Sequence, residues 1–102
     1  MTNEEIEKEV AHAREKRIRP DLSGKNLSGA NLEGLDLSLV NFHGANLSGA
    51  NLSKAIFIGS DLSDTDLSET NLSGANLTGT NLTGAKFSGT ILDGATLYCT
   101  YL

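Results

Sequence analysis

From Leu22 to Leu102 every fifth residue is Leu or Phe, with no insertion and no exception. The seventeen positions hold fourteen Leu and the three phenylalanines of the chain, Phe42, Phe57 and Phe87. A period of five fits neither a helix, at about 3.6, nor a strand, at about 2, so the repetition outranks local propensity. Taking each Leu or Phe as a centre, the residue before it is Asn or Asp in twelve of the seventeen units, Ile56, Lys86, Ile91, Thr96 and Tyr101 being the exceptions. Two before the centre stands Ala, Ser or Thr in thirteen, the exceptions being Pro20, Lys25, Leu35 and Val40. Ser or Thr, then Gly, mostly follow the centre, and residues 45–49 show the unit unaltered as Ala-Asn-Leu-Ser-Gly.

This pattern predicts a coil in which the centre and the small residue point inward while the other three face water. Asn and Asp bond to nearby backbone and Gly relieves a corner, so each unit supplies one short side and one turn. Such corners let the chain close a polygon, and successive rungs then pair their backbones at about 4.8 Å.

Ahead of the repeats the period changes. Residues Thr2 to Arg19 read as a helix with Thr2 and Glu5 spaced as a capping box. Glutamates crowd its first half and Arg and Lys its second, which complements the helix dipole. Glu4 with Lys8, and Glu15 with Arg19, sit at i,i+4 spacing. Its apolar stripe is narrow, Ile6, Val10 and Ala13, and Pro20 marks its end. The chain therefore divides into an N-terminal capping helix at 1–20 and a repeat solenoid at 21–102.

Composition narrows the function classes. At 102 residues and 38% hydrophobic content the chain reads as one soluble domain. It contains neither a run long enough to cross a bilayer nor a secretory apolar core near its start, so a cytoplasmic location is expected. The net charge of -5 lies wholly in the repeats, because residues 1–20 carry five acids and five bases. An acidic surface without a basic stripe argues against direct nucleic-acid binding.

The tandem array, for example Ala45-Asn46-Leu47-Ser48-Gly49-Ala50-Asn51-Leu52, resembles the pentapeptide-repeat family, with Ala-(Asp/Asn)-Leu-x-x units over residues 21–102. The resemblance implies an all-β solenoid, a right-handed quadrilateral β-helix with four pentapeptides per coil, hence about four coils here. Centres twenty residues apart should then stack, as in Leu27, Leu47, Leu67 and Phe87. It also implies a family widespread in bacteria and abundant in cyanobacteria, whose members mostly lack an assigned activity. The function expected is that of a non-catalytic scaffold or binding module with a protein partner.

Three surfaces are candidates for such binding. The chain ends on a centre, and the last coil carries Tyr98, Cys99, Tyr101 and Leu102, which include both tyrosines and the single cysteine. An open aromatic end invites an end-to-end homodimer; continuation of the array past Leu102 is the other reading of the same feature. Leu39, Ile56 and Ile58, with Gly59 and Tyr98, form a less polar lateral patch on the fourth side. Asp61, Asp64, Asp66 and Glu69 form an acidic patch on two sides of the third coil. Some family members linked to quinolone resistance imitate duplex DNA to occupy a type II topoisomerase (gyrase), which is the alternative function. Four coils would rise roughly 19 Å, over which DNA carries about eleven charges, against -5 here.

Other apparent motifs are products of the repeat. Gly-x-x-x-x-Gly matches such as Gly29 to Gly34 lack the Lys and Ser/Thr of a phosphate loop, and the Asn-Leu-Ser/Thr sequons are the repeat in another frame. His43 should stand one rung from Ser23 and Ser63, but a flat wall supplies neither an orienting pocket nor an oxyanion hole. His12, His43 and Cys99 are too far apart to share a metal. No catalytic residue, cofactor, metal, membrane contact or small-molecule substrate is expected.

Overall fold

The computed structural model describes residues 1–102 and shows the repeats wound as a solenoid. Thirteen isolated parallel bridges each join a residue to the one twenty positions later, from Asp21↔Asn41 to Asn81↔Tyr101. Bridges recur every five residues, so one circuit takes four units. The sides are single bridge residues rather than extended strands, because each unit spends its remaining residues on a corner.

The corner has a definite chemistry. From Leu22 to Leu97 the carbonyl of every centre but Leu37 accepts from the amide three residues on, as in Ala45 N to Phe42 O at 2.9 Å. Only the third residue of this turn has positive φ, as at Gly44 (69°), which is the type II pattern and explains the recurrent glycine. The Asn or Asp before the centre closes an Asx turn: Asn46 Oδ1 accepts from the Ser48 amide at 2.9 Å and from its hydroxyl at 2.7 Å. Where Ile56 or Lys86 replaces Asn that bond is lost, and the bridge alone holds the side.

Centres stack as the twenty-residue circuit requires. Leu47 and Leu67 share a wall, because the preceding residues Asn46 and Asp66 are bridged. Leu22, Phe42 and Leu62 are fully buried in one stack and Leu37, Phe57 and Leu77 nearly or fully buried in another. Phe42 and Phe57 meet edge to face within the second coil, ring centroids 5.8 Å apart. Hydroxyls replace alanine at some inward small positions without penalty, since Ser60, Thr70 and Thr80 donate to the carbonyls of Leu37, Leu47 and Phe57 in the coil below. No buried side-chain polar atom is left without a partner.

Helix α1 runs over Asn3–Glu15 with Thr2 as its N-cap, ending four residues before the Arg19 expected from the sequence. Its start is as expected: the Glu5 amide donates to Thr2 Oγ1 at 3.2 Å and the Thr2 amide to Glu5 Oε1 at 3.0 Å. Its end is a Schellman closure, in which Ile18 N donates to Ala13 O and Arg17 N to Arg14 O, both at 3.0 Å. Arg17 takes the left-handed conformation there (φ 57°). The chain must turn upward at this point, because Pro20 is buried and its carbonyl accepts the Asn41 amide as the solenoid's first rung. Glu15 and Arg19 therefore share no helical face.

Ile6 and Val10 join the same hydrophobic cluster as Leu22, Leu27, Leu32 and Leu37, which places α1 against the first coil. That coil has a free edge. Higher up, the carbonyl before each centre and the one after it accept amides from the rung below, as Asn41 O accepts Leu22 N and His43 O accepts Gly24 N. On the fourth side of the first coil the equivalent carbonyls belong to Asp36 and Ser38, and Arg14 Nη2 donates to both, at 3.1 and 3.0 Å. One guanidinium nitrogen thus stands in for the two amides of an absent rung. Arg14→Ala is expected to cost about 1 kcal/mol, or roughly 4–8 °C in Tm; an unchanged Tm would show that water serves those carbonyls equally well.

Candidate functional site

No helix is long and apolar enough to cross a membrane. What the fold offers to a partner is its outer surface, and the large exposed apolar side chains gather mainly in two regions of it.

The first is the last coil. Cover declines along one stack of centres, from Leu82 at 2% exposure to Leu102 at 82%. Leu82, Phe87, Leu92, Leu97 and Leu102 line an apolar hollow of about 210 Å³ that continues the core. Tyr98, Tyr101 and Cys99 are exposed around it. The Leu82 amide donates to Tyr101 O at 2.7 Å, whereas the amides of Phe87, Leu92 and Leu97 meet no backbone carbonyl. The carbonyls of Ala85, Thr90 and Ala95 likewise accept no amide. Whatever abuts this end must supply apolar surface together with both donors and acceptors.

The second region is a lateral corner at the base of the fourth side. Leu39 and Ile58 are 56% and 43% exposed and lie on adjacent rungs, Leu39 N donating to Ile58 O at 3.0 Å. Ile56 is only half-buried because it occupies an outward bridge position. Tyr98 continues the column of Ile58 and Thr78 two rungs higher. The structure adds a member that the sequence did not suggest: Ile18 is 59% exposed and shares a groove of about 330 Å³ with Leu39, Arg17 and Arg19. A helix continuing to Arg19 concealed this; the Schellman closure is what turns Ile18 outward.

The four acids divide by role. Asp61 and Asp66 occupy the Asx position, their carboxylates accepting from Ser63 and Ser68 as Asn would. Asp64 and Glu69 instead sit at exposed corners with φ of 55° and 58°, beneath Gly84 and Gly89. A Cβ at Gly89 would come within 2.5 Å of Glu69 Oε1, so the glycine above leaves room for the carboxylate.

All four aspartates at the Asx position, Asp21, Asp36, Asp61 and Asp66, have lowered pKa values, and two of them are partly buried. At Asp61, partial burial pushes the pKa up, but the hydrogen bonds from the Ser63 hydroxyl and amide outweigh it and hold the carboxyl below its usual value. The Asp36 carboxyl is also lowered, first by the Ser38 hydroxyl, then by its amide and, more weakly, by Arg14. A depressed folded-state pKa contributes stability that is present above the unfolded value, about 3.9, and is lost as pH falls through the folded one. Tm should therefore hold between pH 7 and 5 and fall below about pH 4, with a smaller fall in an Asp36→Asn/Asp61→Asn variant. Equal acid sensitivity in the two proteins would place the titration elsewhere.

His43 lies as expected one rung from Ser63, with Nδ1 2.8 Å from Ser63 Oγ. The Ser63 hydroxyl is committed to Asp61 Oδ1 at 2.5 Å, so it accepts from the imidazole rather than giving it a proton. The Asp61–Ser63–His43 chain is thus oriented against nucleophile activation and ties two coils together.

The corners, four-unit circuits and outward-facing surfaces define a repeat solenoid of the surface-presenting class. The pentapeptide repeats (8 copies) family matches residues 21–59 and again 60–97, and the chain belongs to that family. A pentapeptide repeat protein from Nostoc Pcc 7120 is similar at 33% identity and a TM-score of 0.84, over 92% of this chain and 74% of that one. QnrB1, a plasmid-mediated fluoroquinolone resistance protein, is similar at 32% identity and a TM-score of 0.58, over 69% of this chain and 35% of that one. The chain thus spans about a third of the length of QnrB1. No curated protein is significantly similar in sequence.

Proposed function

We propose that this protein is a non-catalytic binding scaffold, a right-handed quadrilateral β-helix closed below by α1 as a cap, working in the cytoplasm through protein contacts. The observation that carries the reading is the lateral surface, where a bridge-paired solenoid with every buried polar side-chain atom satisfied sets Leu39 and Ile58 exposed on adjacent rungs. For the edge at Leu97 and Leu102 the occupant we propose is a second copy in an end-to-end dimer, further repeats being the other way to cover it. That edge offers both amides (Phe87, Leu92, Leu97) and carbonyls (Ala85, Thr90, Ala95), so it is self-complementary, as a twofold interface requires. Sedimentation equilibrium should give a dimer that Leu102→Asp converts to a folded monomer; a wild-type monomer at the highest concentrations would dispose of the dimer.

A second reading, a DNA mimic directed at a type II topoisomerase, is supported by the likeness to QnrB1 and by the exposed carboxylates of Asp64 and Glu69. It predicts inhibition of gyrase supercoiling that weakens in an Asp64→Asn/Glu69→Gln variant. Unchanged supercoiling at large protein excess leaves the scaffold reading alone.

A further inference from the structure

We infer that the lateral corner built from Ile18, Leu39 and Ile58, flanked by Arg17 and Arg19, is a docking site for an acidic segment carrying apolar side chains. The inference rests on the scaffold reading and names the partner chemistry of one of its faces. The exposed large apolar residues outside the last coil are Met1, Ile18, Leu39 and Ile58, and three of these four fall at this corner. Chance scatter is the ordinary explanation for single exposed leucines, but not for a contiguous group.

The backbone gives an independent reason. Leu39 occupies a corner with φ 61°, where most units place glycine, and Arg17 occupies the Schellman position with φ 57°. A left-handed backbone is strained for a residue with a Cβ, and glycine would remove that strain. Among the left-handed non-glycine residues, Leu39 is the one large aliphatic. Its side chain also lies over Gly59, where an added Cβ would come to 2.9 Å of Leu39 Cδ2. The corner thus brings together two of the six left-handed non-glycine residues, Arg17 and Leu39, along one groove.

Charge decides the kind of partner. The two ion pairs of the structure are Arg14 with Asp36 and His43 with Asp64, so neither Arg17 nor Arg19 closes an ion pair, although the Arg19 charge is near enough to help lower the Asp61 pKa. Arg19 makes one long contact, from Nη2 to Gly59 O at 3.5 Å. Two guanidinium groups outside any ion pair, beside aliphatic surface, suit carboxylates interleaved with apolar residues. A nucleic acid or an anionic membrane would meet the same arginines but also the net charge of -5 on residues 21–102, and neither would use the aliphatic surface.

The test is selection of a random peptide library on the full-length protein, with the winners measured by fluorescence anisotropy. Peptides enriched in Asp or Glu together with Leu, Ile or Phe are expected, with affinity at least tenfold weaker for Arg17→Glu/Arg19→Glu and for Leu39→Asn/Ile58→Thr. Asn tolerates the left-handed backbone, so the second variant keeps the fold. Selected peptides whose binding survives both variants but is lost in Leu102→Asp would overturn this site while leaving the scaffold reading intact. Failure to select any peptide would count against both. Tighter binding of a DNA duplex or of phosphatidylserine vesicles than of the peptides would overturn the partner assignment.

Discussion

Leu62→Asp should yield no folded protein. Leu62 is fully buried in the third coil, between Phe42 and Leu82 of its stack, with no polar group placed to receive a carboxylate. Truncation to alanine alone would cost about 2–5 kcal/mol, and an unpaired buried charge adds a desolvation penalty of at least several more. Because each coil is held chiefly by its neighbours, loss of the third removes the pairing partner of both the second and the fourth. Leu102→Asp is the matched control, since Leu102 stands in the same stack at 82% exposure and should shift monomer stability by no more than about 0.5 kcal/mol. Far-UV circular dichroism and gel filtration of the two variants separate the outcomes. An ordered, monodisperse Leu62→Asp protein would contradict the stacking.

The second large effect is expected at Ile6, the one residue of α1 with no exposed surface. It enters the hydrophobic cluster of the first coil alongside Val10. Ile6→Ala should cost about 2–5 kcal/mol, lowering Tm by about 8 °C or more. Ile6→Asp should release the helix altogether and open Arg14 and Lys16 to trypsin. If α1 were merely resting on the solenoid, cleavage would be as slow as in the wild type and Tm would not move. Either result bears directly on whether residues 1–20 act as a cap.

Much of this was legible in the sequence because the repeat is redundant. A single Leu-x-x-x-x-Leu pair carries no information, whereas an unbroken register from Leu22 to Leu102 calls for a coil built from whole five-residue units, and the family resemblance supplied the number four. The capping box at Thr2 and Glu5 was equally readable, being a local pairing over three residues. The far end of the same helix was not. Glu15–Arg19 looks helical by composition, but the chain closes on Ala13 and Arg14 because Pro20 has to reach the first rung. The candidate surfaces show the same contrast. Leu39 and Ile58 stood out as departures from the repeat, whereas Ile18, outside the repeat and apparently inside a helix, carried no such signal.

The amino-acid sequence by itself determined the five-residue unit, the inward and outward assignment of each repeat residue and the uneven charge, because these are read from position within the unit and from composition, whereas the twenty-residue circuit was implied by the family resemblance and is carried by the bridges of the structure. The tertiary structure decided the helix end, the pairing of Arg14 with the free carbonyls of Asp36 and Ser38, and the meeting of Ile18 with Leu39. Those three depend on where segments more than one unit apart come to lie, and such contacts leave no mark on a five-residue pattern.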